Sequence, residues 1–196
     1  MVASLMRSGT HLLIDSLLNN CRGLRRSPLY IDLDQLLSQS SPEEALALMK
    51  RSGTYVVKTH FPQLGHDDPA RERVMTALCE MGTTITVTRE RSAVERSFAI
   101  FSDRDTAIDL SEDYQRFAEF WSARATASIS FEELTGNWAD TMAGVWRATG
   151  LTPDPGPRPP LSRAHRYRVY LNKLLTRLVG RRAPMINTTI GFALKR

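Results

Sequence analysis

Short apolar runs alternate with longer amphipathic segments along the first three quarters of the chain. β-Branched residues cluster at positions 54–57, 83–88 and 126–131 and predict strands there, and the apolar run at 2–6 predicts a fourth. Helical patterns of ten or more residues lie between them. This alternation predicts an α/β fold in which helices flank both faces of a central parallel sheet.

Capping residues mark four of the helix starts. Two of them combine a capping Ser with Glu three positions on, and two place Pro at the first helical position. The predicted helices follow Ser41, Asp68, Ser92 and Asn137. Three of them have predicted ends, near Lys50, at Gly82 and at Gly150.

The last quarter of the chain has a different pattern. A proline-rich stretch predicts an extended connector. Beyond it, apolar side chains recur at helical spacing and predict an amphipathic helix: Tyr167, Tyr170, Leu171, Leu174, Leu175 and Leu178. The 196 residues fit one domain. We therefore expect a core at 1–152, the connector at 153–160, and a basic C-terminal helical tail at 161–196 that belongs to the same domain.

The net charge of +5 is unevenly distributed. Residues 1–154 carry 16 Lys and Arg against 21 Asp and Glu, whereas residues 155–196 carry 10 Lys and Arg and no acid. The basic tail could be the solvated face of a packed helix, a contact with an anionic membrane surface or a partner, or a clamp for a nucleotide or polyanionic acceptor. Nucleic-acid binding is not predicted, because no recognition motif accompanies the charge.

Cysteine content and hydropathy indicate the compartment. Two cysteines without metal spacing make neither a disulfide framework nor a metal site, which favours a reducing environment. No run of eighteen apolar residues could span a membrane, and no signal peptide is recognisable. We expect a soluble, cytoplasmic protein.

The first predicted strand runs into Arg7-Ser8-Gly9-Thr10-His11-Leu12. A glycine turn that feeds a helix N-terminus presents backbone N–H groups and the positive end of the helix dipole, which suits a phosphate. The pattern is not a Walker A loop, because the Lys after the second Gly is absent. A plain strand–turn–helix with a capping hydroxyl is the alternative.

Two further strand ends carry candidate chemistry. Lys58 and His60 are two positions apart and would share one side of a strand, where His60 is a suitable general base and Lys58 can neutralise a leaving phosphate oxygen. The third strand ends at Arg89, a preferred phosphate ligand, and Ser97 follows in the next helix. Structural or solvated side chains are the alternative in each case.

In conjunction, these segments resemble the PAPS-dependent sulfotransferase family. Its landmarks are a Pro-Lys-Ser-Gly-Thr strand–turn–helix, then Lys-Thr-His at a later strand end, then Arg with Ser eight positions on, and a Tyr-Glu-Asp-Leu-like segment. The matching positions here begin at Arg7, Lys58, Arg89 and Phe131. The four lie in the family's order and span residues 1–150. The resemblance implies a P-loop nucleotide-hydrolase-like fold.

The resemblance also implies a role for each matching residue. Arg7 stands where the family has Lys and would contact the 5′-phosphosulfate of PAPS, inside a loop completed by Ser8, Gly9, Thr10 and His11. Lys58 would assist the leaving oxygen, and His60 would take the acceptor's proton. The remaining residues would bind the nucleotide: Arg89 and Ser97 the 3′-phosphate, and Phe131 the adenine. PAPS is the expected donor and PAP the expected product. Arg and Lys would stand in for a metal, so no metal is expected.

Three functions are therefore open. An active sulfotransferase that modifies a hydroxyl or amine of a small-molecule, glycan or lipid-linked acceptor is favoured. A P-loop-type small-molecule kinase is disfavoured by the missing Walker Lys, and a catalytically inactive nucleotide-binding scaffold by the presence of Lys58 and His60. Acceptor specificity is expected from loops such as 102–111 and from the tail. The short chain favours a bacterial enzyme with a compact acceptor site.

Overall fold

A computed structural model describes residues 1–24, 30–50, 54–63, 68–102 and 109–160. Its centre is a five-stranded sheet whose paired neighbours are all parallel, in the order β2-β3-β1-β4-β5. The strands are β1 (Val2–Ser4), β2 (Ile31–Asp32), β3 (Val57–Thr59), β4 (Ile85–Thr88) and β5 (Ala127–Ser130). The basic tail at 161–196 lies outside the described residues.

The helices connect these strands in alternation. They are α1 (Thr10–Asn20), α2 (Leu33–Leu37), α3 (Pro42–Met49), α4 (Pro69–Met81), α5 (Arg91–Ser102), α6 (Ser111–Trp121), α7 (Phe131–Gly136) and α8 (Trp138–Thr149), and a 3₁₀ turn at Arg22–Leu24 follows α1. In the part of the chain that the structure describes, no helix is long and apolar enough to cross a membrane.

Two hydrophobic layers cover the sheet. On one face, α1 and α8 pack against side chains such as Val2 and Ile85. On the other face, α2, α3, α4 and α6 pack against Ala3, Val57 and their neighbours. Consecutive strand residues point to opposite faces, so Val2 and Ala3 belong to different layers. The predicted α/β class, a central parallel sheet flanked by helices, is confirmed.

Side-chain capping explains most of the observed helix starts. Ser41 caps α3 and forms the predicted capping box with Glu44, and Asp68 caps α4 through the Arg71 N–H. The prediction for α5 was wrong in detail. This helix begins at Arg91, and the carboxylate of Glu90, rather than Ser92, accepts the hydrogen bonds of its first turn.

Some elements differ from the sequence prediction. The strand expected at 54–57 lies at Val57–Thr59, where it pairs with β1 and β2. Strand β2 and helices α2, α6 and α7 were not predicted, and residue 131, which was expected to belong to a strand, begins α7. Of these, β2 is two residues long and α2 five, which leaves too few positions for a periodic pattern.

The strand order determines where a ligand site can form. From the central strand β1 the chain first builds the β2–β3 side of the sheet and then crosses to the β4–β5 side. In open parallel sheets, ligands bind beyond the carboxyl ends of the strands, where the order reverses direction. The segment that leaves β1 therefore lies at the switch point.

The Pro-rich connector at 153–160 packs on the far end of α1. The side chain of Asn20 accepts from the Arg158 backbone N–H at 2.9 Å and donates to the Arg158 carbonyl at 2.9 Å. Asp154 forms an ion pair with Arg22, with 3.4 Å between Nε and Oδ2. These contacts attach the connector to the core.

Candidate active site

Four adjacent strands deliver polar segments to one edge of the sheet. His60 follows β3, the turn 5–9 follows β1, Arg89 follows β4, and Phe131 follows β5. Because the strands are parallel, their carboxyl ends meet there. The sheet therefore gathers residues that are far apart along the chain.

The turn between β1 and α1 has two residues in the left-handed backbone region, Arg7 at φ 70° and Gly9 at φ 99°. Gly9 caps α1 without any side-chain hydrogen bond, and its carbonyl accepts from the N–H groups of Leu12 and Leu13. A Cβ on Gly9 would lie 2.5 Å from Cδ2 of Phe131. Glycine is thus required for both its conformation and its lack of a side chain, and the result is a close-packed turn at a helix N-terminus, which suits an anion.

The other residues of this turn have different surroundings. Ser8 is buried beside the phenol of Tyr114. The Thr10 hydroxyl is hydrogen-bonded to the Ser4 hydroxyl, which anchors the start of α1 to the end of β1. His11 is exposed, with its ring 6.2 Å from that of Tyr30. The side chains of Thr10 and His11 therefore point in different directions, and they do not converge on one ligand position as the backbone N–H groups of a helix N-terminus do.

Arg7, Ser97 and Arg89 form a continuous set of hydrogen bonds. Arg7 Nε donates to Ser97 Oγ at 3.0 Å, and Arg89 Nη1 donates to the Arg7 carbonyl at 3.2 Å. The Arg89 guanidinium also lies over the ring of Phe131, 4.3 Å from its centroid. The structure thus brings together four of the eight residues to which the resemblance assigns a role in nucleotide binding.

Two supporting residues of this cluster were missed by sequence reasoning. The Tyr114 hydroxyl donates to the Arg89 carbonyl at 2.8 Å, and burial raises the pKa of Tyr114 to about 12, so the phenol keeps its proton. Glu90 caps α5 and so orients the helix that carries Ser97. Hydrogen bonds from Ser92 lower the pKa of Glu90 and keep it ionised. Neither residue belongs to a recognisable motif.

His60 is held in one tautomer. Its Nδ1 lies 2.7 Å from the carbonyl oxygen of Ser4. A carbonyl oxygen only accepts, so Nδ1 carries the proton and donates it. In the neutral ring the lone pair is then on Nε2. The end of β1 thus prepares His60 to accept a proton through Nε2.

The electrostatic surroundings favour the neutral imidazole. Burial, reinforced by the charge of Lys58, lowers the pKa of His60 below its ordinary value of 6.5. The carboxylates of Asp34 and Asp32 and the hydrogen bond to Ser4 act in the opposite direction without reversing the shift. At neutral pH His60 is therefore an uncharged base.

Two carboxylates that the sequence analysis did not identify hold the end of β3 and the residue that follows it. Lys58 Nζ lies 2.7 Å from Asp32 Oδ2 in a largely buried ion pair. Asp34 accepts from the Thr59 hydroxyl at 2.8 Å and from the His60 backbone N–H at 2.8 Å. The missed segment β2–α2 thus supplies both partners. The alternating run Ile31-Asp32-Leu33-Asp34 was its only sequence signal.

The chain after His60 is also fixed to the core. Trp121 Nε1 donates to the Phe61 carbonyl at 2.8 Å, and Gln63 Oε1 accepts from the Met6 backbone N–H at 2.7 Å. The second bond links the segment after β3 to the turn after β1. Among the described residues, no three His, Cys, Asp or Glu side chains are grouped as metal ligands would be.

Comparison with known proteins adds a similarity in fold. No family model matches the chain, and no curated protein matches its sequence. Among solved structures, mouse sulfotransferase SULT7A1 in complex with PAP is similar in fold, with 9% identity over 98% of this chain and 72% of the mouse chain. The TM-score is 0.43. A similarity of this degree assigns no role to any single residue.

Proposed function

We propose that this chain is a sulfotransferase that transfers a sulfuryl group from PAPS to a hydroxyl or amine of its acceptor. One observation supports this most strongly. Arg7, Ser97 and Arg89 are joined by hydrogen bonds at the glycine turn, and the base His60 follows the neighbouring strand β3. Cations for an anionic donor and a proton acceptor are thus combined at one edge.

The fit to PAPS follows from the placement of the cations. Arg7 and the backbone of the turn around Gly9 would bind the phosphosulfate, because a helix N-terminus attracts anions. Arg89 and Ser97 would bind the 3′-phosphate, which a guanidinium can hold with two hydrogen bonds. The ring of Phe131, already in contact with the turn, would support the adenine.

The proposed chemistry uses few groups. As the acceptor oxygen forms its bond to sulfur, its proton passes to Nε2 of His60, and the bond from sulfur to the bridging phosphate oxygen breaks. Lys58 has three N–H donors, so it can reach the leaving oxygen while it remains bonded to Asp32. Arg7 stabilises the same negative charge. Transfers of this kind depend mainly on positioning and charge stabilisation.

The acceptor and the cellular setting remain predictions. A small molecule, a glycan or a lipid-linked acceptor would enter beside His60. Of the loop 102–111, which was expected to contribute to acceptor specificity, residues 103–108 lie outside the described residues. Contact of the basic tail at 161–196 with a membrane surface would suit a lipid-linked acceptor. We also propose that the protein works in the cytoplasm.

A thermal-shift experiment tests the donor without knowledge of the acceptor. A ligand that binds the folded state raises the melting temperature by mass action. We expect PAP to raise it more than adenosine 5′-phosphate does, because only PAP has the 3′-phosphate. ATP with Mg²⁺ is the third sample. Stabilisation by ATP with Mg²⁺ but not by PAP would replace the sulfotransferase with a kinase.

A further inference from the structure

Asp34 contacts the segment that carries the proposed base, His60, with both of its carboxylate oxygens. Oδ1 accepts the Thr59 hydroxyl, and Oδ2 accepts the His60 backbone N–H, each at 2.8 Å. Thr59 is completely buried at the end of β3, and its hydroxyl oxygen also accepts from the Phe61 N–H at 3.1 Å. Asp34 therefore determines the backbone path of residues 59–61.

This backbone path determines how the imidazole is held. His60 reaches back across the sheet edge so that Nδ1 donates to the Ser4 carbonyl. The bond spans two strands, because Ser4 ends β1 and His60 follows β3. It depends on the position of the His60 backbone, to which Asp34 bonds directly.

We propose that Asp34 is a positioning residue for the base: it holds the His60 backbone so that Nδ1 stays protonated on Ser4 and Nε2 faces the acceptor. This inference rests on the proposed function for its catalytic consequence. Its structural part, control of the tautomer, does not. A free imidazole samples both neutral tautomers. Holding the Nδ1–H tautomer therefore reduces the free-energy cost of reaching the productive geometry.

Imidazole ¹⁵N shifts in histidine-labelled full-length protein test the structural part. They are recorded at a pH at which His60 is neutral, and the His60→Asn variant identifies the His60 signals. In the wild type we expect the Nδ1–H form. In Asp34→Ala we expect a shift toward a mixture with the Nε2–H form. Asp34→Asn retains one carbonyl acceptor and should lie between the two.

Turnover and nucleotide affinity test the catalytic part. We expect Asp34→Ala to lower turnover by roughly 10- to 100-fold, as a small displacement of a reacting group does. The Kd for PAP should change by less than about twofold, because the described hydrogen bonds of Asp34 go to Thr59 and the His60 backbone and not to the residues proposed to bind the nucleotide. If Asp34→Ala fails to fold, Asp34→Asn provides the comparison.

A matched control separates positioning from general stability. Asp68 also accepts a backbone N–H, that of Arg71 at 2.9 Å, but at the start of α4. Asp68→Ala removes this capping acceptor and should lower the melting temperature without changing the His60 tautomer. An unchanged Nδ1–H form in both Asp34 variants would overturn the proposal. A tautomer shift in a protein that does not bind PAP would support the positioning and overturn the proposed reaction instead.

Discussion

Arg7 Nε donates a hydrogen bond to Ser97 Oγ over 3.0 Å, although the two residues are 90 positions apart. Arg7 belongs to the turn after β1, whereas Ser97 lies on α5, beyond β4. The bond therefore joins the part of the site proposed for the phosphosulfate to the part proposed for the 3′-phosphate. Arg89 strengthens the connection through the Arg7 carbonyl.

Replacement of Arg89 should distinguish the binding of the 3′-phosphate from the binding of the rest of the nucleotide. We expect Arg89→Ala to weaken PAP binding about 10- to 100-fold, which corresponds to the loss of a charge-assisted hydrogen bond. Adenosine 5′-phosphate, without the 3′-phosphate, should be affected much less. Isothermal titration calorimetry with both nucleotides measures the difference.

Arg124 offers a matched control for Arg89. Like Arg89, it packs on an aromatic ring, 4.1 Å from the Phe120 centroid, and donates to a backbone carbonyl. Phe120 lies on α6 and Arg124 in the turn after it, outside the proposed nucleotide site. Arg124→Ala should leave both affinities unchanged. Equal weakening of the two nucleotides by Arg89→Ala would remove Arg89 from the 3′-phosphate site.

Removal of the base should affect turnover rather than binding. In His60→Asn the amide nitrogen can replace Nδ1 as the donor to Ser4, but Nε2 is lost. We expect turnover to fall by about 10²–10⁴-fold with nearly unchanged PAP affinity. Steady-state rates with PAPS and equilibrium titration with PAP measure the two quantities. A comparable loss of PAP affinity would indicate that His60 is structural.

The pH dependence should reflect the lowered pKa of His60. A general base works when deprotonated, so activity should rise with pH through a midpoint below the ordinary value of 6.5. The same shift affects stability. Between the lowered pKa and 6.5 the unfolded chain binds more protons at this site, so the His60 contribution to stability is present above 6.5 and is lost as pH falls through that window.

Two measurements test whether the pKa of His60 is lowered in the folded protein. The pH profile of kcat/KM should have its acidic limb below 6.5, and a midpoint above 6.5 would contradict the burial of the imidazole. Urea unfolding of His60→Asn at several pH values should show a weaker loss of stability on acidification than the wild type shows.

Gly9 should tolerate no side chain. Its φ of 99° costs a non-glycine residue about 1–2 kcal/mol, and a Cβ would meet Phe131. We expect Gly9→Ala to lower the melting temperature by several degrees and to weaken PAP binding, because the ring of Phe131 must move. Differential scanning calorimetry and PAP titration measure both effects.

Gly144 is the matched control for Gly9. It lies within α8, and a Cβ added there would meet no neighbouring atom within 4 Å, so Gly144→Ala should stabilise the protein by about 0.5–1 kcal/mol. Unchanged stability and PAP affinity in Gly9→Ala would show that the turn has another conformation in solution.

The buried ion pair of Asp32 and Lys58 should be sensitive to the loss of one partner. Asp32→Ala leaves the Lys58 ammonium buried without its carboxylate, and we expect a cost of about 3–5 kcal/mol in the free energy of unfolding. The double variant Asp32→Ala, Lys58→Met removes the charge as well and should recover most of this loss. Urea denaturation measures both, and equal instability of the two variants would mean that the pair contributes through packing alone.

Much of the site could be predicted from sequence because it lies at strand ends. Arg7, Lys58, His60 and Arg89 each follow an apolar run, and the carboxyl ends of parallel strands share one edge. The prediction failed for Asp32 and Asp34, since β2 and α2 are too short to produce a periodic pattern. The roles of the predicted residues in binding and catalysis stay predictions.

By itself, the sequence determined the α/β class and the local caps of α3 and α4, because these depend on hydrogen bonds and side-chain periods within a few residues. Only the tertiary structure decided which strands are neighbours, and with them the contacts of Arg7 with Ser97 and of His60 with Ser4. Such contacts join residues far apart in the chain. They depend on the packing of whole strands and helices, which no local pattern encodes.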